Sequence, residues 1–120
     1  MPRTGLIYSN QYLDHVTSGD VESPARLKAI MSVLKSSQLW TQIQHIDPYQ
    51  APLEAIAACH SKEYLEELRG LAQKGGGPWD EDTSVGPTSF EVARLAAGGA
   101  LAAVDGVMEG TDGVRPRAWL

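Results

Sequence analysis

Cysteine is nearly missing from this chain of 120 residues, and Cys59 stands alone. A single thiol excludes an intrachain disulfide and fits a reducing, cytoplasmic compartment. Long apolar runs are missing too. No stretch approaches the roughly 18 apolar residues that span a bilayer. The opening MPRTGLIYSNQYLDH lacks the apolar centre of a secretory signal. Positive charge is in deficit: 10 Lys and Arg stand against 15 Asp and Glu, a net charge of −5 with pI ≈ 5.0. That balance leaves no global footprint for nucleic acid. An acidic surface suits a basic partner, as it suits ordinary soluble proteins. Histidine is scarce: His15, His45 and His60 are the only three, and none pairs with another at helical spacing. A zinc site needs three or four converging ligands, so this chain alone is expected to hold no metal. No internal repeat or low-complexity segment is present.

What is there alternates between strand and helix signals. Gly5-Leu6-Ile7-Tyr8 is short, apolar and β-prone and predicts a buried strand, followed by a polar loop from Ser9 to Val21. Ser23-Pro24 starts a helix, with serine as N-cap and proline at the first helical position. Leu27, Ile30, Met31 and Leu34 give it one apolar stripe, and Ser36-Ser37 ends it. Trp40 to Ile46 is a candidate second strand, broken by Asp47-Pro48. Pro52 to Ala58 forms a short helix. Ser61 caps the next, whose buried face is Tyr64, Leu65, Leu68 and Leu71; Gly75-Gly76-Gly77-Pro78 stops it. Thr88-Ser89-Phe90-Glu91 is a capping box. The helix behind it carries Phe90, Ala93, Ala97, Leu101, Val104 and Met108 at intervals of three or four residues. Ala96, Gly99, Ala100 and Ala103 add a strip of small residues that permits close approach to another element. Gly98 and Gly99 within the helix weaken it by about 1 kcal/mol each relative to alanine, so they predict close packing, against a sheet for example. Val114 to Leu120 begins another strand. The alternation predicts an α/β layer fold with parallel strands.

Four strings occur in a fixed order: His15 to Leu27 (HVTSGDVESPARL), Cys59 to Leu65 (CHSKEYL), Asp80 to Thr83 (DEDT) and Ala96 to Ala100 (AAGGA). Together they resemble the opening segment of the histone deacetylase superfamily, which includes class II-like deacetylases and acetylpolyamine amidohydrolases. The resemblance runs from about Gly5 to Leu120. It implies a three-layer α/β/α arginase/deacetylase fold around a parallel sheet. Residues 1–120 would then be the N-terminal portion of a single, incomplete deacetylase domain. The implied reaction of the parent is zinc-assisted hydrolysis of an acetyl-amide in acetyl-lysine or acetylpolyamine.

The resemblance also assigns residues. Glu22 with Ser23-Pro24-Ala25-Arg26-Leu27 matches the family's Glu-x-Pro-x-Arg-hydrophobic segment, although the usual preceding His-Pro is replaced by Asp20-Val21. By that match Arg26 lines an internal channel beneath the metal, where a permanently charged guanidinium binds carboxylate with two prongs. The same residue also reads as an ordinary helix arginine in solvent. His60-Ser61-Lys62-Glu63-Tyr64-Leu65 matches a His-Ser/Thr-x-x-Tyr-hydrophobic signature and is expected to be structural. Asp82 matches the aspartate at the pocket rim that accepts hydrogen bonds from the substrate's backbone amides. An ionised carboxylate is acceptor-only and suits that task. Asp80 competes for the role, and Asp82 is preferred because Thr83 follows it. Arg115-Pro116 continues into Arg117-Ala118-Trp119-Leu120 and not into the family's Arg-Pro-Pro-Gly-His-His string. The tandem histidines, the zinc-holding aspartates and histidine, and the transition-state tyrosine are unmatched.

No catalytic residue and no metal ligand is therefore assigned within this chain; Zn2+ belongs to the parent enzyme. The expected partners are an acetylated lysine or polyamine substrate, the remaining part of the deacetylase domain, and a second copy through self-association. Nucleic acid and membrane are not expected. Two alternatives stay open: an inactive fragment, or a small helical module that binds another protein through its alanine-rich helix.

Overall fold

A computed structural model describes residues 4–15 and 23–109, and the backbone of 117–119. Glu22 and the Asp20-Val21 and Arg115-Pro116 pairs lie outside the described residues.

The first strand, β1 (Thr4–Ile7), is buried from Gly5 onward, as a parallel strand covered on both faces should be. A 3-10 turn at Asn10–Asp14 follows. Helix α1 (Pro24–Ser36) begins with proline at its first position, as expected, but the Ser23 hydroxyl makes no capping bond. β2 (Gln44–Ile46) runs parallel to β1 with Gly5 opposite Gln44 and Ile7 opposite Ile46. It is shorter than the sequence predicts. Residues Gln38–Thr41 coil into a 3-10 turn, with Gln42 N–H donating to the Leu39 carbonyl at 2.8 Å. Trp40 packs on His45 at 4.3 Å between ring centres, which favours the turn over an extended chain.

Three helices follow: α2 (Leu53–Ala57), α3 (Lys62–Gln73) and α4 (Ser89–Glu109). Between α3 and α4 lies a small antiparallel hairpin of β3 (Gly77–Pro78) and β4 (Ser84–Val85). Ser61 caps α3 as predicted, its Oγ accepting from Tyr64 N–H at 3.2 Å. The triple glycine stops α3, with positive φ at Gly75, Gly76 and Gly77. A side chain on Gly76 would overlap the Val85 carbonyl, so glycine is also what lets the hairpin close. The last strand, β5 (Arg117–Trp119), falls within the predicted segment and pairs parallel with β1.

The larger sheet therefore has the order β2-β1-β5. Side chains of β1 alternate between its faces. On one face Leu6 joins Ile30, Leu34, Leu39 and Ile43 around an apolar cleft of about 320 Å³, with α1 above it. On the other, Ile7 meets α4 at Gly99, where an added Cβ would lie 3.1 Å from Ile7 Cγ2. Helices thus cover both faces of a parallel sheet, the α/β arrangement the alternation predicted.

Two buried faces differ in part from expectation, although Gly98 and Gly99 pack closely as predicted. Helix α4 buries Leu95, Gly98, Gly99, Ala102 and Ala103, while Val104 and Met108 are 60% and 66% exposed. Small residues win because the partner is backbone. Ala51 N–H donates to the Arg94 carbonyl at 3.1 Å, and Arg94 Nε and Nη2 donate back to the Ala51 carbonyl at 3.2 and 3.0 Å. A methyl on Gly98 would overlap the Tyr49 carbonyl, so only glycine admits the strap from Tyr49 to Ala51. On α3, Leu65, Leu68 and Leu71 are half-buried, but Tyr64 is 38% exposed. It belongs to a ring cluster at the helix start and not to the core.

Candidate functional site

The rim predicted around Asp82 is the tip of the β3–β4 hairpin. Trp79 N–H donates to the Thr83 carbonyl at 2.8 Å, and Asp80 N–H reaches the same carbonyl at 3.3 Å. Those bonds enclose Asp80, Glu81 and Asp82, all exposed. The two aspartates differ in their hydrogen bonding. Asp80 Oδ1 accepts the Asp82 N–H at 3.1 Å, so the Asp80 carboxylate is engaged in shaping the turn.

The hairpin runs straight into α4, and the junction is clasped to the beginning of the chain. Ser89, at the start of α4, is buried; its Oγ accepts Gly86 N–H at 2.8 Å and lies 2.7 Å from His15 Nδ1. Beside it the Thr88 hydroxyl donates to the Asp14 carbonyl at 3.0 Å. The expected capping box is thus put to a longer-range use, since the Thr88 side chain ties two loops together. Residues 10–15 are also held from below, where Tyr12 OH donates to the Leu95 carbonyl at 3.3 Å. Burial raises the Tyr12 phenol above its ordinary pKa.

A second feature escaped sequence reasoning. Tyr8 and Ser9 follow β1, and Asp47 and Pro48 follow β2. With Lys35 and Trp40 they line a pocket of about 520 Å³. It opens at the carboxyl ends of two adjacent parallel strands, where α/β sheets bind their ligands. Knowing that β1 and β2 pair in parallel would have pointed to it; spacing along the chain does not.

Arg26 is exposed on α1, in a different element from the Asp82 hairpin. His60 stacks on Tyr64, and Tyr64 meets Trp79, in agreement with a structural part for that motif. Cys59 is an exposed free thiol. Among the described residues no group of three or more His, Cys, Asp or Glu side chains could hold a metal ion. The described residues therefore do not fit the zinc that the resemblance implies. Among them, too, no helix is long and apolar enough to cross a membrane.

Comparison with known proteins agrees with this architecture. Residues 20–115 match the histone deacetylase domain. The chain is 40% identical over 100 residues to a probable deacetylase of Methanothermobacter thermautotrophicus, covering 83% of this chain and 30% of that protein. It is 38% identical over 93 residues to a histone deacetylase-like amidohydrolase of Pseudomonas aeruginosa, covering 78% of this chain and 24% of that one. The crystal structure of the HDA15 HD domain superposes with a TM-score of 0.81 over 92% of this chain and 33% of that one, at 21% identity, a likeness of fold. The chain belongs to the histone deacetylase family and has its arginase/deacetylase-like α/β fold. It spans about a third of the length of the curated relatives it matches.

Proposed function

We propose that this chain supplies the substrate rim and part of the parallel sheet of a zinc-dependent deacetylase. The enzyme hydrolyses the acetyl-amide bond of acetyl-lysine or acetylpolyamine in the cytoplasm. In this reading residues 1–120 are the N-terminal portion of one domain, and the remaining part holds the zinc. The observation that carries it is the Asp82 hairpin: a closed turn that spends Asp80 on its own backbone and leaves the Asp82 carboxylate outward. That carboxylate accepts backbone N–H groups of the substrate and fixes the acyl group relative to the reacting centre. Orientation of this kind contributes several kcal/mol in favourable cases. Arg26 serves the internal channel in the same proposal.

The reading of an alanine-rich helical binding module is opposed by packing. Gly98, Gly99, Ala102 and Ala103 are already buried within this chain, so the small-residue face is not free for a partner. Assay of the full-length deacetylase on an acetyl-lysine peptide and on an acetylpolyamine tests the proposal. Turnover of either that stops when zinc is removed supports it. No turnover of both by zinc-loaded protein overturns it.

A further inference from the structure

Three rings connect the start of α3 to the hairpin. His60 lies nearly parallel to Tyr64, with centres 5.4 Å apart and planes inclined by 20°. Tyr64 meets Trp79 edge to face at 5.5 Å and 89°. Such pairs stabilise beyond the area they bury. The backbone of Tyr64 is held at the helix start, where its N–H donates to Ser61 Oγ at 3.2 Å.

Trp79 is half-buried, whereas Asp80, Glu81, Asp82 and Thr83 after it are exposed. Strands of two residues each cannot hold a hairpin in water by themselves. At the base of this one Gly76 passes close against the Val85 carbonyl, where no side chain would fit. At the tip, the Trp79 ring rests on Tyr64 while its N–H closes the loop onto Thr83. Asp82 is the residue before Thr83, within the closed loop.

We propose that Trp79 is a positioning residue: seated on Tyr64, it holds the hairpin tip so that the Asp82 carboxylate meets the substrate backbone. This rests on the reading of Asp82 given above. The ring never touches substrate in this account; it acts through the loop. Removing it lets the tip wander and weakens substrate capture more than turnover.

The test uses the full-length deacetylase and an acetyl-lysine peptide, with kcat and KM measured separately. Losing a charged acceptor changes rate or binding by roughly ten- to a hundred-fold. Trp79→Ala is expected to raise KM by about ten-fold, at the low end of that range, with a smaller change in kcat. Trp79→Phe keeps an edge-to-face ring and stays near native, and Tyr64→Ala resembles Trp79→Ala. In an Asp82→Ala background, Trp79→Ala raises KM no further, since both act through one carboxylate. Hydrogen exchange at the Asp82 amide, held in the native protein by Asp80, quickens in Trp79→Ala and not in Trp79→Phe. Effects of Trp79→Ala and Asp82→Ala that multiply overturn the proposal. If Asp82→Ala leaves KM unchanged, the reading of Asp82 fails by itself. Exchange at its amide then decides whether Trp79 holds the tip, and unchanged exchange in Trp79→Ala overturns that too.

Discussion

His15 Nδ1 lies 2.7 Å from Ser89 Oγ, across 74 positions of sequence. The hydroxyl also accepts Gly86 N–H, and the direction of its bond with the imidazole follows the tautomer of His15. One buried serine thus joins the loop after β1 to the turn that launches α4. Ser89→Ala leaves Gly86 N–H without its partner in a buried place. Such a loss costs about 1–3 kcal/mol. The urea midpoint of unfolding is expected to fall accordingly; an unchanged midpoint would show that the clasp is incidental.

Two glycines in helices should respond in opposite directions to alanine. Alanine normally gains about 1 kcal/mol over glycine in a helix. Gly70 in α3 has open space around a would-be Cβ, so Gly70→Ala should stabilise by roughly that amount. At Gly98 the same methyl overlaps the Tyr49 carbonyl, and overpacking costs about 1–3 kcal/mol. Gly98→Ala should therefore destabilise on balance, read by thermal unfolding. Equal or higher stability would mean that the strap from Tyr49 to Ala51 does not lie on α4.

Alkaline pH should weaken the fold through Tyr12. Burial raises its phenol above the ordinary 10.0. Below pH 10 both folded and unfolded chains keep the proton, and the full stability is present. Above it the unfolded chain releases the proton first, so stability falls as pH climbs toward the folded value. Tyr49 is raised as well, by loss of hydration and then by the charge of Asp105 and the hydrogen bond to it. Being 42% exposed, it contributes less. Tyr12→Phe should flatten the decline in urea stability above pH 10, and an undiminished slope would rule this origin out.

Much of this fold is legible in the sequence because its signals are local. The apolar run at β1, the proline at the start of α1, the Ser61 cap and the triple glycine each act within a few residues. The buried face of α4 is legible only in part: Gly98 and Gly99 signal the close packing that Gly99 makes with Ile7 of β1. Periodicity counts large apolar residues and pointed to Leu101, Val104 and Met108, whereas the neighbours are backbone and β1, which need small residues. Tyr64 reads as core by spacing, yet it meets a tryptophan from another element. The rim shows both sides of the matter. The sequence places Asp80 and Asp82 in one loop, but the hydrogen bond by which Asp80 accepts the Asp82 N–H belongs to the folded turn and has no spacing signal. The His15–Ser89 clasp and the pocket after β1 and β2 depend on strand pairing and carry no spacing signal.

Zinc should not bind stoichiometrically to this chain by itself. The described histidines lie on separate elements, and a zinc site needs at least three converging ligands. Metal analysis of tag-free protein after dialysis checks this. One tightly held zinc per chain would mean that ligands converge in a way the described residues do not show.

Asp82 is proposed to receive the substrate. In the full-length deacetylase, Asp82→Ala should lower kcat/KM on an acetyl-lysine peptide by roughly ten- to a hundred-fold, the effect of losing a charged hydrogen-bond acceptor. Zinc content should stay at the native level. Asp80→Ala should do less, acting only by loosening the turn that its carboxylate holds through the Asp82 N–H. Full activity in Asp82→Ala with a large loss in Asp80→Ala would take the role from Asp82 and move the substrate contact two residues toward the N-terminus.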